Sequence, residues 1–324
     1  VGRLSDALLE LLPSVLLEGL LLGCVYAMIA LGYTMVYGVL GLINFAHSEV
    51  FMIGAVAGVE VYRYLGPHVG NPYALALLAM VIAAGVSGGT AMAIERLAYR
   101  PLRRRGSTNR LVPLITAIGV SFFLQDFVRL VEGLWHNEFY LNYPSDARLE
   151  ATHTLPLQMT IQTKSILVIV VTTAMLVGLD YLVRKTKLGR AIRAVAQDLQ
   201  TASLMGINPD RVIARTFLIG GALGGVAGVL FGLLYSQINP FAGFVPGVKA
   251  FTAAVLGGIG NIYGAVVGGL VLGVLETLGG TYLFFLTDGT LGNEYKDVFA
   301  FVILVLLLLF RPQGLLGKTQ GEKV

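Results

Sequence analysis

The sequence predicts an all-α fold, a polytopic transmembrane helix bundle of about eight or nine membrane segments, some of them broken or re-entrant. Three observations carry this. The 324 residues are 56% hydrophobic and only 13% charged, with mean hydropathy +0.76, whereas soluble domains carry roughly 25% charge. The apolar residues bunch into runs of about 18 or more, the length that crosses a bilayer core. The basic residues collect in the connections, where they report orientation. The net charge of +4 is therefore no nucleic-acid signature. The 41 glycines suit close helix packing in lipid, and the single Cys24 excludes an intrachain disulfide.

The elements follow in order. Residues 14–37 form a first span, too long and too poor in basic residues at its start for a cleaved signal peptide. A Gly-punctuated break at 38–44 leads to an apolar segment, 45–62, that holds His47, Glu49 and Glu60. A turn at 66–72 precedes a third span, 73–98. The stretch 100–110 carries five Arg and no acid and reads as an inside loop. Residues 113–130 are a fourth span, in which Asp126 and Arg129 are spaced to pair. The polar stretch 132–164, with the only tryptophan, Trp135, reads as external. A fifth span, 165–183, returns the chain inside. A Gly-rich sixth span, 213–237, is followed by a turn with Pro240 and Pro246, a short apolar segment at 249–260, a span at 262–285, an acidic external turn at 287–297 and a last apolar run at 298–310 that ends inside. If every segment crosses, there are about nine crossings with the N-terminus outside. The whole chain, 1–324, reads as one membrane domain.

Between two apolar spans lies the longest polar, helix-prone stretch, 184–215. It opens with five basic residues in ten positions and continues as AIRAVAQDLQTASLM, which reads as one helix. Gly206 stops it, and Asn208-Pro209-Asp210 turns the chain. The pattern leaves two readings open: a helix that transmits force to a soluble partner, or an interfacial tie between spans.

A weak internal echo relates 37–58 to 235–258. Each runs Tyr, Ile-Asn, a break and a Gly-ended apolar helix, as expected of an inverted repeat with broken helices beside a translocation path. In the first copy, Asn44, His47, Ser48 and Phe51 share a face if the segment is helical, with Phe45 and Met52 beside them. Polar groups in apolar segments face a cavity or a partner, so these six residues are the candidate pathway. Glu49 is expected to cap a broken helix or to meet Lys249. Glu276, deep in an apolar run, reads as a structural or interface group or as an ion site. Gly317-Lys318-Thr319 mimics the end of a phosphate loop, but position 312 is Pro where that motif needs Gly. No Ser-His-Asp set and no metal-ligand spacing occurs, so neither an enzyme nor a bound cofactor is expected.

Four ordered motifs, GYTMVYGVLGLINFAHSEVFMIGA, AVAQDLQTASLMGIN, INPFAGFVPGVKAFTAAVLGGIGNIYGAVVGG and LLFRPQGLLG, resemble the membrane permease of bacterial branched-chain amino acid ABC importers, and more narrowly its H-type subunit. The resemblance runs from about residue 19 to 317. Ser48 follows NFAH where the family often has Gly, and related urea and short-chain amide permeases share much of the pattern. The resemblance implies a permease of the bacterial inner membrane with a cytoplasmic C-terminus. It would work with a second permease subunit (an M-type paralogue or a second copy), two cytoplasmic ATPase subunits that hold ATP and magnesium, and an external solute-binding protein. Segment 184–212 then resembles the coupling loop, with Ala194, Asp198, Ala202 and Gly206 on its Ala/acid-x-x-x-Gly pattern and Arg190, Ile207 and Asn208 flanking it. The rival class is an ion-coupled secondary transporter that uses Glu49 or Glu276.

Overall fold

The computed structural model describes residues 2–105, 111–144, 146–154, 160–287, 295–311 and 313–317. Part of the inside loop at 100–110, most of the turn at 287–297 and residues 318–319 of the phosphate-loop mimic lie outside them. Helix α1 (Gly2–Leu40) is followed by α2 (His47–Leu65) and α3 (Pro72–Ile94). A π-helical turn, Glu95–Tyr99, carries α3 into α4 (Arg100–Arg104). Then come α5 (Leu111–Trp135), α6 (Thr163–Lys185), α7 (Lys187–Gln197), α8 (Leu199–Leu204), α9 (Pro209–Tyr235), α10 (Phe244–Gly257), α11 (Ile262–Leu286) and α12 (Lys296–Phe310). Short strands β1 (Leu141–Asn142), β2 (Thr152–Thr154), β3 (Thr160–Gln162) and β4 (Gln237–Ile238) pair antiparallel, β1 with β4 and β2 with β3. The first ladder ties the 136–162 connection to the turn after α9.

Among the described residues, six helices are long and apolar enough to span a bilayer: Leu11–Leu40, Pro72–Arg104, Leu111–Trp135, Thr163–Lys185, Pro209–Tyr235 and Ile262–Phe285. The chain is a multi-pass membrane protein. The expected eight or nine segments are reached by counting α2, α10 and α12, which have 19, 14 and 15 residues. Helix α2 is the polar one, and α10 is too short to cross alone.

The echo in the sequence is an echo in structure. At each break an asparagine closes the same turn: Asn44 Oδ1 accepts from the Ala46 N–H at 3.1 Å, and Asn239 Oδ1 accepts from the Phe241 N–H at 2.9 Å. Each half then places an asparagine cap before its third helix. Asn71 accepts from the Tyr73 N–H and Asn261 from the Tyr263 N–H, both at 3.0 Å. The halves are interlaced, since α1 packs chiefly on α11 and α9 chiefly on α3. They also run oppositely. Tyr37 to Leu42, at the end of α1, line a cleft with Arg184 and Arg193, whereas α9 begins at that arginine-rich end.

Small residues permit this interlacing. A Cβ on Gly23 would stand 2.7 Å from Leu270 Cα, and one on Gly269 would stand 2.5 Å from the Ala27 nitrogen. In the other half, a Cβ on Gly225 would stand 2.5 Å from the Ala83 carbonyl oxygen. Backbones at this separation gain dispersion contact, which holds helices together where water supplies no hydrophobic drive between them.

Candidate functional site

The six candidate pathway residues gather at the α1–α2 break, though not on one helical face. Asn44 precedes the helix. Its Oδ1 accepts from the Ala46 N–H and from the Tyr99 hydroxyl at 2.9 Å, so its carbonyl group is committed to a turn and to the end of the α3 arm. Periodicity carried one residue too far back, because an Asx turn replaces the first helical turn. Helix α2 then starts at His47. Its ring is 1% exposed and meets Tyr33 edge-on, centroids 4.8 Å apart, in room left by Gly32. The Ser48 hydroxyl donates to the Phe45 carbonyl at 2.7 Å. Phe51 is buried against Phe231 at 5.5 Å, and Met52 is buried beside Gly243. Phe45 alone of the six is half-buried. It lies 6.0 Å from Phe251, whose neighbours Tyr33, Tyr37 and Ile43 line a narrow slot.

The acidic residues depart from expectation. Glu49 does not meet Lys249. It is fully buried, and its Oε1 accepts from Gln125 Nε2 at 2.8 Å and from the hydroxyls of Ser121 and Ser48 at 3.1 Å each. Its other oxygen abuts Gly243, the residue that opens α10. Lys249 instead bridges Glu276 at 2.7 Å and Asp297 at 2.5 Å, and the Tyr26 hydroxyl donates to the second Glu276 oxygen at 3.0 Å. Helical phase decides this: Lys249 on α10 turns toward α11 and α12, away from α2. Arg129 lies over the rings of Phe139 and Phe241, at 5.8 and 6.0 Å, rather than against Asp126.

The 184–215 stretch folds as a bent arm, not as one helix. The Thr186 hydroxyl accepts from the Gly189 N–H at 3.0 Å and starts α7. Ile192 and Val195 are its buried stripe, Arg190 is exposed on the opposite face, and Arg193 donates to the Val183 carbonyl. The helix ends where Asp198 N–H bonds to the Ala194 carbonyl at 3.1 Å. Asp198 then turns extended and caps α8, accepting from the Gln200 and Thr201 N–H groups at 2.8 and 3.0 Å. The short side chain bonds to its own backbone neighbours and so breaks a pattern that apolar spacing alone continues. Ala202 is the buried residue of α8. Gly206, at φ +82°, stops it, and Ile207 N–H bonds back to the Ala202 carbonyl at 3.1 Å. Asn208 caps α9 through the Arg211 N–H at 3.1 Å, with Pro209 at the first helical position. The tip of the arm presents Leu204 and Met205, 87% and 79% exposed.

Sequence reasoning missed what anchors the foot of this arm. Arg100, Arg103 and Arg104 converge on Asp210 at 3.0, 2.7 and 2.9 Å, and Arg103 also holds the buried Glu95 at 2.9 Å. The signal was the i, i+3, i+4 spacing of the three arginines, which places them on one helical face. Their partner lies 106 residues on from Arg104, beyond the reach of local pattern.

Comparison with known proteins fits this architecture. The family model for the branched-chain amino acid transport system permease component matches residues 15–308. The chain belongs to that permease family. It is 45% identical over 308 residues to the high-affinity branched-chain amino acid transport system permease protein LivH of Escherichia coli K12, covering 95% of this chain and 96% of LivH. It is likewise 45% identical over 310 residues to BraD of Pseudomonas aeruginosa, covering 95% and 97%. LivM of E. coli, a permease protein of the same transport system, is 26% identical over 92% of this chain and 69% of LivM. The H-type resemblance is thereby borne out, and the permease is a transport component rather than an enzyme.

Proposed function

We propose that this permease carries leucine, isoleucine and valine across the bacterial inner membrane as one of two permease subunits in an ATP-driven importer, beside an M-type paralogue. Similarity to LivH over almost the full length of both chains is the observation that carries this reading. An external binding protein delivers the amino acid, and two cytoplasmic subunits bind ATP and magnesium. Leu316 and Gly317 line one cleft with Arg184 and Arg193, which supports a cytoplasmic C-terminus.

The α7–α8 arm is the coupling element. Its exposed Leu204 and Met205 suit insertion into a partner groove, and the arginine clamp on Asp210 suits transfer of its motion to α9 and to the α3–α4 rod. Ala194, Asp198, Ala202, Gly206, Ile207 and Asn208 set the shape of the arm, and exposed Arg190 presents a charge to the partner. Phe45 borders the path, while Asn44, His47, Ser48, Phe51 and Met52 hold the break that presents it. Glu276 is committed to Lys249 and Tyr26, which argues against its use as an ion-coupling site.

Reconstitution in vesicles tests the proposal. Uptake of radiolabelled leucine is expected only with the ATPase subunits, ATP and the binding protein together. Uptake by this chain alone on an ion gradient would overturn it. Paired charges Leu204→Glu and Met205→Glu are expected to uncouple ATP hydrolysis from uptake with the bundle intact.

A further inference from the structure

At the end of the bundle opposite the arginines lies a cavity of about 420 Å³ between α1, α6, α9, α11 and the start of α12. This size falls within the range of small-molecule sites, about 300–1,000 Å³. It is not lined as a lipid-filled gap would be. Glu18, Lys164 and Lys296 all reach it, and Glu276 forms part of its wall. Among the described residues, Glu18, Lys164 and Lys296 form no ion pair with one another or with any other group. Charges of both signs therefore face one space without pairing among the described residues.

The wall is built rather than incidental. Glu276 is 1% exposed and Lys249 behind it 3% exposed, and the Tyr26 hydroxyl fixes the second carboxylate oxygen. Lys249 has two acidic partners, Glu276 and Asp297, and this buried cluster fixes the Glu276 side of the wall. The two lysines at the mouth make the rim net positive despite Glu18. Buried Leu21 and Leu22, with half-buried Leu234, add an aliphatic flank.

We infer that this cavity is a receiving site for one free aliphatic amino acid, bound as its zwitterion. The ammonium group faces Glu18, the carboxylate faces Lys164 and Lys296, and the side chain lies along the leucines. A ligand with both charges satisfies both sets of groups at once, whereas an acid or an amine alone leaves one set unmatched. The inference rests on the proposed substrate class but adds a site within this chain, away from the Phe45 slot.

The test is equilibrium binding of radiolabelled leucine to the assembled transporter in nanodiscs, without binding protein or nucleotide. Saturable binding is expected at one leucine per copy of this chain. Leucine should compete, while 4-methylpentanoate, which lacks the ammonium, and 3-methylbutylamine, which lacks the carboxylate, should not. Glu18→Gln and Lys164→Gln should each weaken binding about tenfold, the scale of one lost charge-assisted hydrogen bond. Thr281→Leu, which fills the cavity without touching a charge, should do the same.

Absence of saturable binding, or binding unchanged in all three variants, would overturn the site. So would a phosphatidylethanolamine that stays bound through purification and is not displaced by leucine, since its headgroup also carries both charges. Uptake of leucine with ATP and binding protein is measured in parallel. Uptake without a saturable site removes only this inference, whereas absence of uptake in the wild type removes the proposed function.

Discussion

In the first half of the bundle, α1–α3, the buried carboxylate of Glu49 meets only neutral donors, from Ser48, Ser121 and Gln125. In the second half, α9–α11, the buried carboxylate of Glu276 meets the Lys249 ammonium and a phenol. The backbone plan is shared, down to the asparagine turn and the asparagine cap, so the difference lies in the chemistry placed on it. A carboxyl held by neutral donors is replaceable by a neutral isostere. A carboxylate held by a cation is not, because removing one charge strands the other in low dielectric. The ion pair also places Glu276 in the wall of the polar cavity, which α1 of the first half lines from the other side.

The comparison is tested most severely at Lys249. Lys249→Ala is expected to destabilise the detergent-solubilised protein by about 3–5 kcal/mol, the scale for breaking a buried pair, read as a fall in thermal midpoint. Lys249→Met with Glu276→Leu should recover most of the loss, since Asp297 is partly exposed and can be hydrated. A double variant as unstable as the single one would break the contrast. A smaller effect is expected at Glu49. Glu49→Ala strands the donors of Ser121 and Gln125, while Ser48 keeps the Phe45 carbonyl, and should cost about 1–3 kcal/mol, whereas Glu49→Gln should stay near wild type. Equal damage from both would show that the first half also depends on charge. Smallest should be loss of the caps: Asn71→Ala is expected to cost about 1 kcal/mol, and Asn261→Ala more, since the Asn261 amide also donates to the Leu316 carbonyl at 2.8 Å. Equal costs would mean that this additional bond adds nothing to the second cap.

Much of the fold was legible because membrane segments announce themselves by length and hydropathy, and because glycine and asparagine mark breaks through local chemistry. Gly206 as a stop and the paired Ile-Asn breaks are of this kind. Asn44 was placed on a helix, and 191–205 was read as unbroken, because apolar spacing does not register that a short side chain bonds to its own backbone. Lys249, one of the two partners expected for Glu49, failed for another reason. Sequence shows that a buried carboxylate and a buried ammonium exist, not which helical faces meet.

The sequence by itself determined a multi-pass helix bundle, its oppositely directed broken halves and its permease family. Each of these follows from composition or from residues close together along the chain. Only the tertiary structure decided that α1 crosses over to α11 and α9 to α3, that Lys249 turns to Glu276, and that Asp210 gathers three arginines. Those outcomes depend on the phase at which distant helices pack, and a shift of one residue, about 100° around a helix, would have chosen other partners.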